Sequence, residues 1–317
     1  MLSMVEREQR RVLKTLRASD SPVLRAFLLQ FPQRDVYLRG LVWTLGAELP
    51  PELGTLLGWW VDGELKGVFV HGQVMVLCCE DPRGLEAFAE RVGHYWHERP
   101  IAQLMAPRSM CEVFLAALSD HFGSLPPLHL LRHRMPAMRV RAELLSGPDD
   151  LGLVGSLRTP PLRLAREEEE ELVAQLARSV TREDLGLDPL EFAPKSFESA
   201  LRHRLKMGRE FLWTEEAEPV FRATLSATTP DSVMVEGVFV PPEHRGKGYG
   251  KAGMRALCER LLRTFESVVL LVGEDNEVAR RLYDGLGFET FDEYQAAFFE
   301  IRLSEASPGL SRDPQTS

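Results

Sequence analysis

The chain has 317 residues, long for one domain and comfortable for two. With 44% hydrophobic and 27% charged residues it has a soluble globular composition, which excludes collagen-like, disordered and membrane classes for the chain as a whole. Lys plus Arg is 38 and Asp plus Glu is 47, a formal charge of −9; a protein that coats nucleic-acid phosphates shows the opposite balance, so any anion site must be local. The four cysteines are Cys78, Cys79, Cys111 and Cys258. Two are sequence neighbours and none falls in a CxxC spacing, which favours reduced thiols over a disulfide framework or a zinc cluster and implies a cytoplasmic protein without metal. No run approaches the roughly 18 apolar residues of a membrane span, and the charged N-terminus lacks a secretory apolar stretch.

In chain order, residues 4–17 read as an amphipathic surface helix. Asp20-Ser21-Pro22 then starts a second helix through Val23–Phe31. Thr55–Val61, Glu64–His71 and Gln73–Cys79 read as three strands, the first two joined by Asp62-Gly63, where both positions tolerate positive φ. A helix over Leu85–His97, a buried strand at Ile101–Met105 and a helix over Met110–Ser119 complete an α+β N-terminal half, taken as residues 1–145. Residues 146–160, rich in Gly, Pro and Ser, read as a linker. Arg166-Glu167 opens an acidic helix start that complements the macrodipole. Ser196–Met207 reads as a further helix, and Phe211–Thr214 and Val220–Ala227 as paired strands. Residues 303–317 have no periodicity and read as a disordered tail. GWWVDGELKGVFVHGQVMVLC and EFLWTEEAEPVFRATLSATTPDSVMVEGVFV share a strand-turn-strand-turn-strand pattern. Hairpin grammar alone can produce this, so a duplication is the weaker of the two readings.

The chemistry concentrates in SVMVEGVFVPPEHRGKGYG, residues 232–250. Ser232–Val240 alternates and is β-branched, as a strand requires. Pro241-Pro242 ends it. Arg245-Gly246-Lys247-Gly248-Tyr249-Gly250 follows, and Lys251–Phe265 reads as an amphipathic helix. A strand, a glycine-rich loop and a helix N-terminus together form an anion cradle, because glycine lets the backbone approach the ligand and the first N–H groups of the helix point outward. The spacing is neither the P-loop pattern nor the dinucleotide fingerprint.

The loop Arg245-x-x-Gly248-x-Gly250 after VFVPPEHR resembles the acyl-CoA pyrophosphate loop of the GNAT superfamily of N-acyltransferases. The segment Asp275-Asn276-Glu277-Val278-Ala279-Arg280-Arg281-Leu282-Tyr283-Asp284-Gly285-Leu286-Gly287-Phe288, after a strand at Val268–Val272, resembles the helix that follows the superfamily's fifth strand. The resemblance covers residues 161–302 as one domain. The whole chain further resembles a GNAT subgroup with a degenerate GNAT-like domain in front. The implied fold is α+β: a mixed, mostly antiparallel central sheet with a splayed central pair of strands, flanked by helices, behind an N-terminal α+β domain.

The implied activity is transfer of an acyl group, acetyl in the first instance, from acyl-CoA to a primary amine by direct attack. Two alternatives stand beside it: a non-catalytic acyl-CoA sensor or interaction protein, and a tandem-GNAT enzyme acting on a small amino metabolite. The backbone N–H groups of Arg245, Gly246, Lys247, Gly248, Tyr249, Gly250 and Lys251 would hold the CoA diphosphate. The strand edge at Val238, Phe239 and Val240 would pair with the pantetheine amides. Asn276 would hydrogen-bond pantetheine, cap its own helix, or do both. Tyr283, seven residues on, shares its face of the helix; the resemblance makes it the acid that protonates the departing thiolate, and an ordinary tyrosine pKa suffices for that. Glu236, beside a Gly237 suited to a bulge, would be the base, with His244 a rival and a solvated strand carboxylate the plain structural alternative. The partner expected is a small-molecule or peptide amine, with no nucleic acid and no membrane. The N-terminal half would shape the acceptor pocket or mediate a homodimer.

Weaker candidates read as structural. His94-x-x-His97 and His129-x-x-x-His133 have helical spacing but no acidic partners. Arg202-His203-Arg204 and Lys206 suit a solvated helix face, and the pairs Trp59-Trp60 and Tyr95-Trp96 suit a core. The N-terminal half offers no loop like that at 245–250, only His71-Gly72-Gln73.

Overall fold

The computed structural model describes residues 9–31, 34–51, 53–72, 74–95, 103–122, 132–185, 188, 190 and 194–299. The first half of the chain runs β1 (Arg11–Thr15), α1 (Ser21–Leu28), α2 (Val36–Leu45), β2 (Thr55–Val61), β3 (Glu64–His71), β4 (Val74–Cys79), α3 (Pro82–His94), β5 (Gln103–Pro107), α4 (Arg108–Phe122) and β6 (Arg132–Val140). The second runs β7 (Arg163–Leu164), α5 (Glu170–Leu185), α6 (Pro194–Lys206), β8 (Glu210–Glu215), β9 (Glu218–Thr228), β10 (Ser232–Phe239), α7 (Tyr249–Leu261), β11 (Ser267–Leu271), α8 (Glu277–Gly285) and β12 (Glu289–Phe298). The order strand, two helices, three strands, helix, strand, helix, strand occurs twice. In both copies the fourth and fifth strands pair in parallel. The weaker sequence reading, a duplication, therefore describes the architecture.

The described residues form two compact units, one from within 1–17, 48–133 and 295–317, the other from within 18–47 and 134–294. In the first unit β1 to β5 lie in sequence order, with the C-terminal part of β12 beyond β5. The β2–β3 turn has Asp62 at φ 51° and Gly63 at φ 87°, the left-handed pair a tight hairpin demands. Phe88 lies 4.5 Å from Phe69 and 5.5 Å from Phe114, ring centre to ring centre, at the heart of the core between sheet and helices α3 and α4. Asp81 caps α3 by accepting from the Arg83 N–H, and also accepts from the Trp59 indole at 2.8 Å. Trp60 is buried, but Tyr95 is 41% exposed, contrary to its expected place in a core.

Arg11–Thr15 is a strand rather than part of a helix. It pairs antiparallel with β2, Arg11 opposite Val61 and Thr15 opposite Leu57, and Leu16 continues the pairing through its N–H to the Leu56 carbonyl at 2.9 Å. The sequence around it is periodic enough for a surface helix, and the open edge of β2 decides otherwise. The helix expected over Leu85–His97 ends at His94; residues 1–8, Trp96, His97, Ile101, His129 and the tail 303–317 lie outside the described residues.

The second unit contains the sheet β7-β8-β9-β10-β11-β6. Its β6 comes from the end of the first half and pairs antiparallel with β11, Val140 opposite Val268. Strand β10 sends Val233 and Val235 to one face, where they join Phe221, Leu257, Cys258, Leu270 and Tyr283 under α7 and α8. Leu151 and Leu153, within the span 146–160, are buried in the same core. The opposite face is covered at one end by α5 and α6, through Val173, Leu176, Leu201 and Leu205 against Leu212 and Phe239. At its other end lies α2, whose Val36 packs on Ala227, Met234 and Val269. Among the described residues no helix is long and apolar enough to cross a membrane.

Candidate active site

The site is organised by what happens to β10 after Met234. Its parallel pairing with β11 covers Ser232–Ser267, Val233–Val268 and Met234–Val269 and then stops, although both strands continue. The expected splay is therefore present, and from Val235 onward β10 has no pairing to β11. On its other side the register with β9 shifts between Glu236 opposite Thr224 and Phe239 opposite Arg222. Three steps on β10 against two on β9 define a bulge, as Gly237 beside Glu236 predicted. Gly237 has φ 57°, and a Cβ there would lie 2.7 Å from the Arg222 Nη1. Only glycine fits.

Arg222 occupies the space opposite the bulge. It is buried, and its Nη1 donates to the Gly237 carbonyl at 3.2 Å. Its Nη2 donates to the Glu210 Oε2 at 2.8 Å and to the Thr224 hydroxyl at 2.6 Å. The Thr224 hydroxyl in turn donates to Glu210 at 2.7 Å, and the Arg204 Nε donates to the other Glu210 oxygen at 2.8 Å. Desolvation lowers the Arg222 pKa and the adjacent Glu210 raises it. Arg204 thus belongs to a buried network and not to the solvated face expected of it. No local pattern foretold this network, because its members come from four elements, α6, β8, β9 and β10.

Glu236 is exposed at its surface, yet enough protein surrounds it for desolvation to raise its pKa above the ordinary carboxylate range. That combination describes the wall of a cleft. The guanidinium groups of Arg204 and Arg222 oppose the shift, the Glu210 carboxylate adds to it, and a hydrogen bond with Ser226 lowers it. Tyr37, from α2, has Glu236 as its charged neighbour: desolvation first, then that carboxylate, raises the tyrosine pKa. Sequence reasoning missed both α2 and Tyr37. His244 lies elsewhere, its Nε2 3.5 Å from the Glu218 carboxylate and its ring 5.9 Å from that of Tyr249.

Beyond the bulge, Val238 and Val240 border the α7–α8 core while Phe239 turns to the α5–α6 side. Pro242–His244 forms a short 3-10 turn, then Gly246 (φ 74°) and Gly248 (φ 89°) bring the chain into α7. The helix begins at Tyr249, two residues before the expected Lys251. The first helical bond runs from the Ala252 N–H to the Gly248 carbonyl at 3.0 Å, so the N–H groups of Tyr249, Gly250 and Lys251 have no helical acceptor. Their positive end of the dipole is available to an anion. Lys247 is exposed beside them. The Lys251 ammonium lies 3.4 Å from the Leu151 carbonyl. The Arg245 guanidinium, by contrast, forms a two-pronged pair with Glu183 of α5 at 2.7–2.8 Å and donates to the Val240 carbonyl. Its charge is balanced within the protein.

On α8, the Asn276 Oδ1 accepts from the Ala279 N–H at 3.1 Å, so the capping role is realised. Tyr283 is 7% exposed, packed 5.5 Å from Phe288, on the face of β10 opposite Glu236. Its hydroxyl is not the ordinary one expected. Burial raises its pKa well above the usual tyrosine value, with Cys258 and Asp184 adding to the effect. It therefore stays protonated at any working pH. All four cysteine sulfurs are buried and none forms a disulfide; burial pushes Cys79 up to about 12. Among the described residues no group of three His, Cys, Asp or Glu side chains is placed to hold a metal ion.

Residues 167–288 match the family model of the acetyltransferase (GNAT) family, and the C-terminal region carries a GNAT domain. That assignment implies acyl transfer from acyl-CoA. The whole chain is similar in fold to a tandem GNAT protein from the clavulanic acid biosynthesis pathway, with a TM-score of 0.59 at 15% identity over 92% of this chain and 98% of that one. It is similar also to a GNAT-family acetyltransferase from Colwellia psychrerythraea, with a TM-score of 0.54 at 13% identity over 91% of this chain and 100% of that one. No curated protein matches the chain.

Proposed function

We propose that the protein is an N-acyltransferase that moves an acyl group, acetyl in the first instance, from acyl-CoA to a primary amine by direct attack. The observation that carries this reading is the splay of β10 from β11, which frees one strand edge leading from the Gly237 bulge to the N-terminus of α7. The residues there fit acyl-CoA. The first-turn N–H groups of α7 and the exposed Lys247 suit a diphosphate, with Lys251 in the same turn, and the unpaired edge at Val238–Val240 suits the pantetheine amides.

In the reaction the amine nitrogen attacks the thioester carbonyl carbon, the new C–N bond forms and the C–S bond breaks. Glu236 takes the proton the amine must lose, directly or through water. The Tyr283 hydroxyl, which burial keeps protonated, hydrogen-bonds the sulfur and gives it a proton as the C–S bond breaks; being a weaker acid than an ordinary tyrosine, it acts in concert with cleavage rather than ahead of it. Backbone N–H groups near the bulge polarise the carbonyl. Glu236 and Tyr283 occupy opposite faces of β10, which suits an amine arriving on one side and a thiolate leaving on the other.

The test is acetyl-CoA-dependent thermal stabilisation together with amine-dependent release of free thiol. Tyr283→Phe keeps the ring packed against Phe288, so acetyl-CoA still stabilises the variant while kcat falls about 100-fold. An unchanged kcat excludes Tyr283 as the acid. Gly248→Val places a branched side chain at φ 89° and 3.0 Å from Leu157, a strained position for any L residue. Stabilisation by acetyl-CoA is expected to disappear in that variant. If it persists, the loop does not hold the cofactor.

A further inference from the structure

Residues two apart on a strand face the same way, so Glu236 shares a face of β10 with Met234. Met234 is covered by α2 and Phe239 by α5 and α6, while Glu236, between them, is exposed. A gap thus lies over Glu236 on this face, within the second unit, walled by α2 on one side. The family match begins at residue 167 and does not include that helix.

Helix α2 is held firmly in place. The Arg39 side chain is completely buried and pairs with Asp231 at 2.7 Å in the β9–β10 turn. A Cβ on Gly40 would come within 2.9 Å of Ala227, so helix and sheet are in direct contact there. Two residues before Arg39, Tyr37 borders the cluster of Met234 and Val269 together with Leu271 and Phe291, and has Glu236 as its charged neighbour. Leu271 lies two residues beyond Val269, the last position of β11 paired with β10, just as Glu236 lies two residues beyond Met234.

Three further carboxylates of this unit are already engaged: Glu210, which faces Glu236, by Arg204 and Arg222, Asp231 by Arg39, and Asp292 by Arg34 at 2.9 Å. Among the described residues Glu236 has no ion pair within 4 Å, and the cations that face it, Arg204 and Arg222, are bound to Glu210. Behind Glu236 stand Ser226 and the two Glu210-bound arginines, and beside it the Tyr37 ring leads to the apolar cluster with Leu271 and Phe291; one carboxylate next to that cluster matches one ammonium on an apolar body. A second positive charge would find no second carboxylate and would meet two arginines; a polyhydroxylated amine would leave hydroxyls unpaired.

We infer that this gap is the acceptor subsite of the transferase and takes a small hydrophobic primary monoamine, with its nitrogen at Glu236 and its apolar body against Tyr37, Leu271 and Phe291. The inference rests on the acyl-transfer reading above and adds a specificity-determining residue from the N-terminal part of the chain.

The test uses the full chain, saturating acetyl-CoA and five probes: phenethylamine, hexylamine, spermidine, glucosamine and a lysine peptide. Phenethylamine and hexylamine are expected to have the highest kcat/KM. Tyr37→Ala is expected to raise the KM for phenethylamine about tenfold or more, the scale of a lost apolar contact in a specificity pocket. Tyr37→Phe, which keeps the ring, leaves that KM nearly unchanged. Both variants keep the KM for acetyl-CoA and its thermal stabilisation, which also verifies folding. Preference for spermidine, glucosamine or the peptide overturns the inference, as does a Tyr37→Ala enzyme with unaltered amine KM. Stabilisation by acetyl-CoA with no turnover of any probe overturns the subsite alone. Absence of that stabilisation in the wild type overturns the acyl-transfer reading beneath it.

Discussion

Glu210→Ala is expected to destabilise the protein by about 3–5 kcal/mol, because it removes one partner of a buried ion pair and leaves the other charged. Glu210 accepts from Arg222, Arg204 and the Thr224 hydroxyl, and Arg222 is buried with only the Thr224 hydroxyl and the Gly237 carbonyl to replace it. Urea unfolding monitored by circular dichroism measures the loss. Glu210→Gln, which keeps the shape and an acceptor oxygen, is expected to lose less. The pair Glu210→Leu with Arg222→Met should recover part of the stability, since the buried Arg222 charge is no longer stranded and only the partly exposed Arg204 loses its carboxylate. A double variant as unstable as Glu210→Ala alone would mean that the network is needed for more than its own compensation, the obvious candidate being the Gly237 carbonyl that Arg222 holds. A loss below about 1 kcal/mol in the single variant would contradict the buried-pair account.

Glu236→Gln is expected to lower kcat/KM by about 100-fold or more, the usual contribution of a positioned general base, with acetyl-CoA binding retained. The pH dependence supplies the sharper check. As the base, Glu236 must be ionised, so wild-type kcat/KM rises with pH through a pKa above the ordinary carboxylate range, and Glu236→Gln loses that limb. Stability moves in the opposite direction. Folding raises this pKa, so the folded state binds more protons than the unfolded one between the unfolded and folded values, and stability falls as pH rises through that window. Above it, Glu236→Gln is expected to unfold at a higher temperature than the wild type. A variant both less active and less stable at neutral pH would indicate a structural role for the carboxylate. The groups that set this titration are Arg204, Arg222, Glu210, Ser226 and Tyr37.

The parts of the site that sequence reasoning reached are those written in short, continuous stretches. Gly237 announces a bulge, Gly246 and Gly248 a left-handed entry into a helix, and Asn276 an N-cap, because each constraint acts within a few residues of itself. Their order along the chain, strand, loop, helix, strand, helix, was enough to indicate the chemistry of acyl-CoA. The same local reasoning made Arg11–Thr15 a helix and overlooked α2, β6 and β12, since a short segment's own periodicity does not record which strand edge or sheet face it will meet.

By itself, then, the sequence determined two α+β halves, a glycine-rich loop at 245–250 that leads from a strand into a helix, and a helix bearing Asn276 and Tyr283. Only the tertiary structure decided that residues 18–47 belong with residues 134–294, that Arg204 and Arg222 converge on Glu210 behind the bulge, that Arg245 faces Glu183, and that Tyr37 stands over Glu236. The physical reason is one of range. Turn, cap and bulge preferences depend on neighbours in the chain, whereas the pairing of buried charges and the covering of a sheet face depend on which distant surfaces can be buried together, and that is settled by the packing of the whole unit.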